Sequence, residues 1–209
     1  MILYCAADPV YFNNYFNLWS SLCNKYYPKL KKIISLYNPT PDMIKLCEDN
    51  HINWSKAILT DNPQRKHFYL LRWLNLPFEH NELIIETQIN CIPIKTQSFP
   101  SDNNKVEQYR VSRLKRGFLG GVSAAVFTPE AAKKVVEQAK VMLDNPPESD
   151  HPMNMWQINN LKHSFVKSEQ QFKNFNMSIT NDTCWITAGT SQHYTPKQKI
   201  DILNYYINK

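Results

Sequence analysis

Short apolar runs alternate with apolar residues at helical spacing from the first residues of this chain, and that alternation restricts the fold most. Ile2 to Ala6 is an apolar run of one buried strand's length. Behind it Phe12, Tyr15, Phe16, Trp19, Leu22, Cys23 and Tyr26 recur as the buried stripe of a helix, which the Pro28 segment ends. Lys32-Ile33-Ile34-Ser35-Leu36-Tyr37 reads as a second strand, closed by Asn38-Pro39. Thr40-Pro41-Asp42 then places a hydroxyl at the N-cap and Pro at the first position of a helix running through Cys47. Strand, helix, strand and helix in that order build a parallel sheet through crossover connections.

The alternation continues. Phe68, Leu71, Arg72, Leu74 and Asn75 fit a short helix ending near Pro77, and Leu83-Ile84-Ile85 a third buried strand that stops at Glu86-Thr87-Gln88. Leu119 to Phe127 holds another strand. Thr128-Pro129-Glu130 opens a helix burying Ala132, Val135, Val136, Ala139, Met142 and Leu143 before Asn145-Pro146-Pro147. A last helix starts at Thr195-Pro196 with Ile200, Leu203 and Tyr206 on one side. No repeat and no linker divides the chain. The expectation is one α/β domain over residues 1–209, with a central, mostly parallel sheet flanked by helices.

Composition narrows the setting. A hydrophobic fraction of 43% supplies a core, while no apolar run is long enough to enter a bilayer as a spanning helix, so membrane insertion is not expected. The first residues lack a basic stretch and soon reach Asp8, unlike a secretory signal. The five cysteines (Cys5, Cys23, Cys47, Cys91, Cys184) are odd in number and form no Cys-x-x-Cys. They read as free thiols of a reducing compartment, and the cytoplasm is the expected location.

In open parallel sheets, ligands bind beyond the carboxyl ends of the strands. Two polar clusters fall there, Ala6-Ala7-Asp8 and Glu86-Thr87-Gln88. A carboxylate directly after a buried strand holds a divalent cation or a ribose hydroxyl, or merely ends the strand. Dinucleotide, phosphate-loop, zinc-protease and nucleophile-elbow motifs are all missing, which removes those enzyme classes. The net charge of +6 favours an anionic partner, or serves solubility alone. Arg110, Arg113, Lys115 and Arg116 make a basic stretch that either faces a departing diphosphate or lies on a solvated face. Tyr11 is placed to stack on a base or to join the core. Arg72, on an otherwise apolar face, calls for a buried partner such as Glu86 or Asp8, or else snorkels past Trp73. Glu148 and Asp150, after the Pro-Pro loop, are candidates for the base that activates an acceptor hydroxyl, against the plainer reading of solvated carboxylates. His193 contacts phosphate or metal, or is a polar loop residue.

Several segments together resemble one family. Ile2-Leu3-Tyr4-Cys5-Ala6-Ala7-Asp8-Pro9-Val10-Tyr11-Phe12 resembles the opening of GT-A-fold glycosyltransferases. Tyr69-Leu70-Leu71-Arg72-Trp73-Leu74-Asn75-Leu76-Pro77 is similar to their helix carrying an Arg before a Leu-Pro. Leu83-Ile84-Ile85-Glu86-Thr87-Gln88 falls where the family has a hydrophobic strand and Asp-x-Asp. Gly117-Phe118-Leu119-Gly120-Gly121-Val122-Ser123 resembles the Gly-containing segment beside the donor sugar. Trp185-Ile186-Thr187-Ala188-Gly189-Thr190-Ser191-Gln192-His193 resembles the loop that closes over the diphosphate. The segments follow family order from one end of the chain to the other.

The resemblance implies a nucleotide-diphosphate sugar donor, foremost a UDP-sugar, and transfer to a hydroxyl. It implies that Ala6, Ala7, Asp8 and Tyr11 hold the nucleoside. It places Arg72, Glu86, Gln88, Gly120, Gly121 and His193 around the ribose, diphosphate and sugar. A Mg²⁺ or Mn²⁺ ion would rest on Glu86, but Asp-x-Asp is here Glu86-Thr87-Gln88, with one carboxylate where two are typical. A carbohydrate hydroxyl is the default acceptor; hydroxymethylated bases in DNA, or an inactive nucleotide-sugar-binding module, are the alternatives. The Lys-, Asn- and Ile-rich composition is also similar to that of small phage and large-virus glycosyltransferases, for which the host cytoplasm would be the location.

Overall fold

The computed structural model describes residues 1–98, 106–113, 124–149, 151–172, 179, 181–188 and 195–208. β1 (Ile2–Ala7), α1 (Pro9–Tyr26), β2 (Lys31–Leu36), α2 (Pro41–Asp49) and β3 (Asn53–Lys56) form two successive strand–helix–strand units. β1 pairs in parallel with β2, and β2 with β3. The chain then crosses back. After a 3-10 turn at Arg65–Tyr69 and the short α3 (Leu71–Leu74), β4 (Ile84–Thr87) lies parallel on the other side of β1, with Ile2 opposite Ile84 and Tyr4 opposite Glu86.

The later elements extend the sheet beyond β4. They are β5 (Cys91–Pro93), β6 (Gln108–Arg113), β7 (Ala124–Phe127), α4 (Pro129–Val141), α5 (His151–Asn160), β8 (His163–Phe172), β9 (Trp185–Ala188) and α6 (Pro196–Ile207). Among the described residues the strand order is β3-β2-β1-β4-β7-β6-β8-β9-β5. Among the described residues the β4–β7, β6–β7 and β5–β9 pairings are antiparallel and the other five parallel, so the sheet is mixed and mostly parallel, as expected.

Four helices start by one device. Asp8, Thr40, Thr128 and Thr195 each accept a backbone N–H of the first turn, and each is followed by Pro at the first helical position. The cap satisfies an orphan donor, and Pro presets φ where its missing N–H costs nothing. Alternation along the strands then divides the core between two faces. Leu3, Cys5, Ile34, Ile85 and Val126 meet Phe12, Phe16, Trp19, Cys23, Leu203 and Tyr206 of α1 and α6. Ile2, Tyr4, Ile84, Ala125 and Phe127 meet Trp73 of α3 and Ala132, Val135 and Val136 of α4 on the other face.

Some boundaries differ from the sequence reading. β4 does not stop before Glu86 but runs through Glu86 and Thr87, which pair with Ala125 and Ala124 of β7. Both side chains are fully buried, because Glu86 has an ion-pair partner and Thr87 Oγ1 accepts Trp19 Nε1–H at 3.1 Å. β7 begins only at Ala124; the rest of the Leu119 to Phe127 expectation lies outside the described residues. Strands β3, β5, β6, β8 and β9 and helix α5 went unanticipated. β3 is exposed along its whole length and carries no apolar pattern to read.

All five cysteines are free. Burial pushes the Cys5 and Cys23 thiols well above the usual range and Cys47 up to about 12, while Cys184 is only partly buried. The thiolate is the reactive form, so titration of the native protein with an aromatic disulfide in mildly alkaline buffer is expected to label Cys184 promptly and the other four only after denaturation. Prompt labelling of two or more native thiols would contradict this burial.

Candidate functional site

Strand order β3-β2-β1-β4 reverses direction at β1: the chain builds outward to β3, then returns to the opposite side at β4. Such a reversal of strand order opens a crevice beyond the carboxyl ends of β1 and β4. A cavity of about 440 Å³ lies there, within the range of small-molecule sites. Ala6, Ala7, Asp8 and Tyr11 line it from the β1–α1 junction, and Gln88, Ile89 and Asn90 from the segment after β4. Arg65, Phe68 and Tyr69 of the 3-10 turn, with Leu71 and Arg72 of α3, complete the wall.

The first strand end is set by its helix. Asp8 Oδ1 accepts the Tyr11 N–H at 2.9 Å, which fixes the carboxylate at the N-terminus of α1. Tyr11 is 46% exposed, with its ring 5.9 Å from that of Tyr15. It is a cavity wall and not part of the core. Phe68 is braced edge-on by Tyr37 at 5.4 Å. The cavity lining thus includes a carboxylate residue and three aromatic ones, suited to hydrogen-bonding and covering a planar heterocycle.

Beneath the other side lies a buried charged layer. Arg72 Nη1 donates to Glu86 Oε1 at 3.2 Å, and the Arg72 guanidinium sits 4.0 Å from the Trp73 ring centroid. The sequence offered Glu86 pairing and snorkelling past Trp73 as alternatives; both contacts form, inside the protein. Glu86 of β4 and Arg110 of β6 both register against Ala125 of β7, so their side chains share one sheet face. Ala125 is small enough to leave room for both above it. Arg110 donates to Gln157 Oε1 at 2.8 Å, Asn154 Oδ1 at 2.9 Å and Gln108 Oε1 at 3.2 Å. Burial, and after it the Arg72 charge, bring the Arg110 pKa down to about 10 against the pull of Glu86. Arg110 remains a cation at neutral pH.

Two expectations need correction. Arg110 is not on a basic surface stretch: it is 1% exposed, because the amides of α5 and β6 solvate it from within. Lys115 and Arg116 lie outside the described residues. Glu86 does not line the cavity; its carboxylate faces Arg72 under the floor. Among the described residues no three His, Cys, Asp or Glu side chains gather to hold a cation.

Of the remaining site candidates, the fold brings Ala6, Ala7, Asp8, Tyr11, Arg72 and Gln88 to one cavity. Glu148 is exposed between α4 and α5 and does not line that cavity. Asp150, Gly120, Gly121 and His193 lie outside the described residues. Arg65, Phe68, Tyr69 and Asn90 were missed as cavity residues. Their signal was proximity: three precede Arg72 on one short turn, and Asn90 follows Gln88 by two.

This fold is that of the GT-A glycosyltransferases, over nearly the whole chain. Solved structures sharing it include the apo-form glycosyltransferase GlyE of Streptococcus pneumoniae TIGR4 (TM-score 0.64, 10% identity, 98% of this chain and 59% of that one). A second GlyE structure is covered over only 44% of its length, so this chain spans about half of GlyE. The galactosyltransferase LgtC, solved with donor and acceptor sugar analogs, matches at TM-score 0.59 and 9% identity, covering 98% of this chain and 95% of that one. A glycosyltransferase involved in glycosylation of the major capsid of PBCV-1 matches at TM-score 0.59 and 6% identity, over 97% and 98% of the two chains. No family model matches the chain, nor does any curated sequence.

The buried layer makes two stability predictions. Glu86→Ala removes the buried carboxylate that pairs with Arg72, a loss of about 3–5 kcal/mol. Differential scanning calorimetry is expected to show Tm falling on the order of 10 °C, and by less for Glu86→Gln, which keeps an acceptor. Ala125→Leu fills the space above the sheet and is expected to cost about 1–3 kcal/mol. An unchanged Tm for Glu86→Ala would mean that the pair does not brace α3 against β4.

Proposed function

We propose that the chain is a glycosyltransferase that takes a nucleotide-diphosphate sugar, foremost a UDP-sugar, and delivers the sugar to a carbohydrate hydroxyl. The observation that carries this reading is the cavity at the β1/β4 switch point of a GT-A-like sheet. Its wall combines Asp8, the aromatic residues Tyr11, Phe68 and Tyr69, and Arg65 and Arg72. Such a wall has complementary groups for each part of a nucleotide: a carboxylate for base or ribose donors, rings for the base faces, and cations for phosphates.

In the reaction, an acceptor oxygen bonds to the anomeric carbon while the bond from that carbon to the diphosphate oxygen breaks. The nucleoside diphosphate leaves with the bonding electrons, and the acceptor hydroxyl loses its proton. Holding donor and acceptor together supplies much of the rate, and cations beside the leaving diphosphate stabilise its developing charge. Glu148 and Asp150 are the proposed takers of the hydroxyl proton. Burial of Arg110 removes one cation from the stretch that suggested a DNA acceptor, and so favours the carbohydrate.

The test is a panel of nucleotide sugars in a thermal-shift assay. A ligand at a hundredfold its Kd adds about 2.7 kcal/mol, and hence a Tm rise of roughly 5–10 °C at this chain length. Tyr11→Ala is expected to weaken the preferred ligand by about 0.5–1.5 kcal/mol without unfolding the protein, since the ring is partly exposed. Release of free sugar from the bound donor separates an enzyme from a binding module. If no nucleotide sugar shifts Tm, this function fails.

A further inference from the structure

Hard divalent cations take six or more oxygen ligands and gain affinity from each carboxylate. The residues at this cavity offer a different set. Glu86 is fully buried, ion-paired to Arg72 and absent from the lining. The two polar side chains after it on the rim, Gln88 and Asn90, are neutral amides. Asp8, whose Oδ1 accepts the Tyr11 N–H, is the one carboxylate among the described lining residues, too few oxygen donors for such an ion. Among the described residues the lining cations are arginines instead: Arg65, exposed on its 3-10 turn, and Arg72, ion-paired to Glu86.

We infer that the cavity holds the diphosphate of a nucleotide ligand on Arg65 and Arg72 without a divalent cation, and that Glu86 positions Arg72. This rests on the function proposed above and specifies how its donor is held. A guanidinium offers two parallel N–H donors that match phosphate oxygens, and it stays protonated at any working pH. Glu86 removes much of the conformational freedom that Arg72 would otherwise lose on binding, and the Trp73 ring limits the remainder. Arg110, behind this pair, adds a second buried positive charge to the same layer. The field beneath the cavity therefore favours an anion.

Isothermal titration of the whole chain with UDP, GDP, CDP and ADP, and with the matching nucleosides, tests this in EDTA and in excess Mn²⁺. At least one diphosphate is expected to bind in EDTA, with Mn²⁺ changing its Kd by less than about threefold. Arg65→Ala is expected to weaken that diphosphate by roughly tenfold, as loss of a charge-assisted hydrogen bond does, and to leave the nucleoside unaffected. Arg65 is exposed, so this variant keeps its fold. Glu86→Gln is expected to weaken the diphosphate more than the nucleoside; a merely structural Glu86 would weaken both alike. Binding that vanishes in EDTA and returns with Mn²⁺ overturns the inference while the proposed function stands. Equal weakening of nucleoside and diphosphate by Arg65→Ala also overturns it. If none of the four diphosphates binds in either buffer, both readings fall.

Discussion

The ion pair between Arg72 and Glu86 fixes the floor of the cavity. α3 is only four residues long, too short to be stable as an isolated helix, and it depends on what it packs against. Arg72 Nη1 reaches down to Glu86 Oε1 on β4, and the neighbouring Trp73 inserts its ring against Phe127 of β7 at 6.1 Å. One contact is electrostatic and the other apolar, yet they come from adjacent residues and hold the same helix to the same part of the sheet. Stripping water from both charges is expensive, and the pair offsets that cost only because its surroundings are shaped for it. Ala125 leaves the space, the Trp73 face covers the guanidinium, and Arg110 is solvated by amides and does not compete for Glu86 hydrogen bonds.

The second strand end obeys a simpler rule. Asp8 is where it is because α1 needs a cap, and a carboxylate at a helix N-terminus is favoured by the helix dipole as well as by its hydrogen bond. The same residue stands at the switch point because β1 ends there. A structural necessity therefore delivers a polar group to the cavity wall. Tyr11 follows three residues later, on the same turn as its cap. Packing sets the Arg72 side of the cavity and capping sets the Asp8 side.

How much of this could be read from the residues depended on whether a local pattern existed. β1, α1, β2, α2 and α4 carry apolar periodicity and cap-Pro starts, and each formed near the expected place. β3 has no apolar face, and β6 buries Gln108 and Arg110 as well as Val111, so an alternation that reads as half solvent-facing is covered on both sides. Arg110 misled for that reason: only the tertiary partners Gln157 and Asn154, over 40 positions away, make it a core residue. Glu86 misled in a related way. Its neighbours in sequence suggested the end of a strand, while its pairing with Ala125 carries the strand through it. The cluster of cavity residues around strand ends was legible because the sheet rule needs only strand order, and Arg72 was legible because one charge on an apolar face demands a partner.

Arg72 belongs at once to the core and to the cavity, and that dual membership constrains the chain more than either role alone. An apolar replacement of the pair could match or exceed its stability, since buried ion pairs seldom beat well-packed hydrocarbon. What hydrocarbon cannot do is present a fixed cation to an anionic ligand. A mobile surface lysine presents the charge but loses more side-chain entropy when it binds. A guanidinium held by a buried carboxylate spends that entropy at folding, where the whole core shares the cost, and arrives at the ligand already aligned. The same reasoning explains why Glu86 sits below the floor. On the rim a carboxylate would repel the diphosphate proposed above; buried against Arg72 it orients the cation instead.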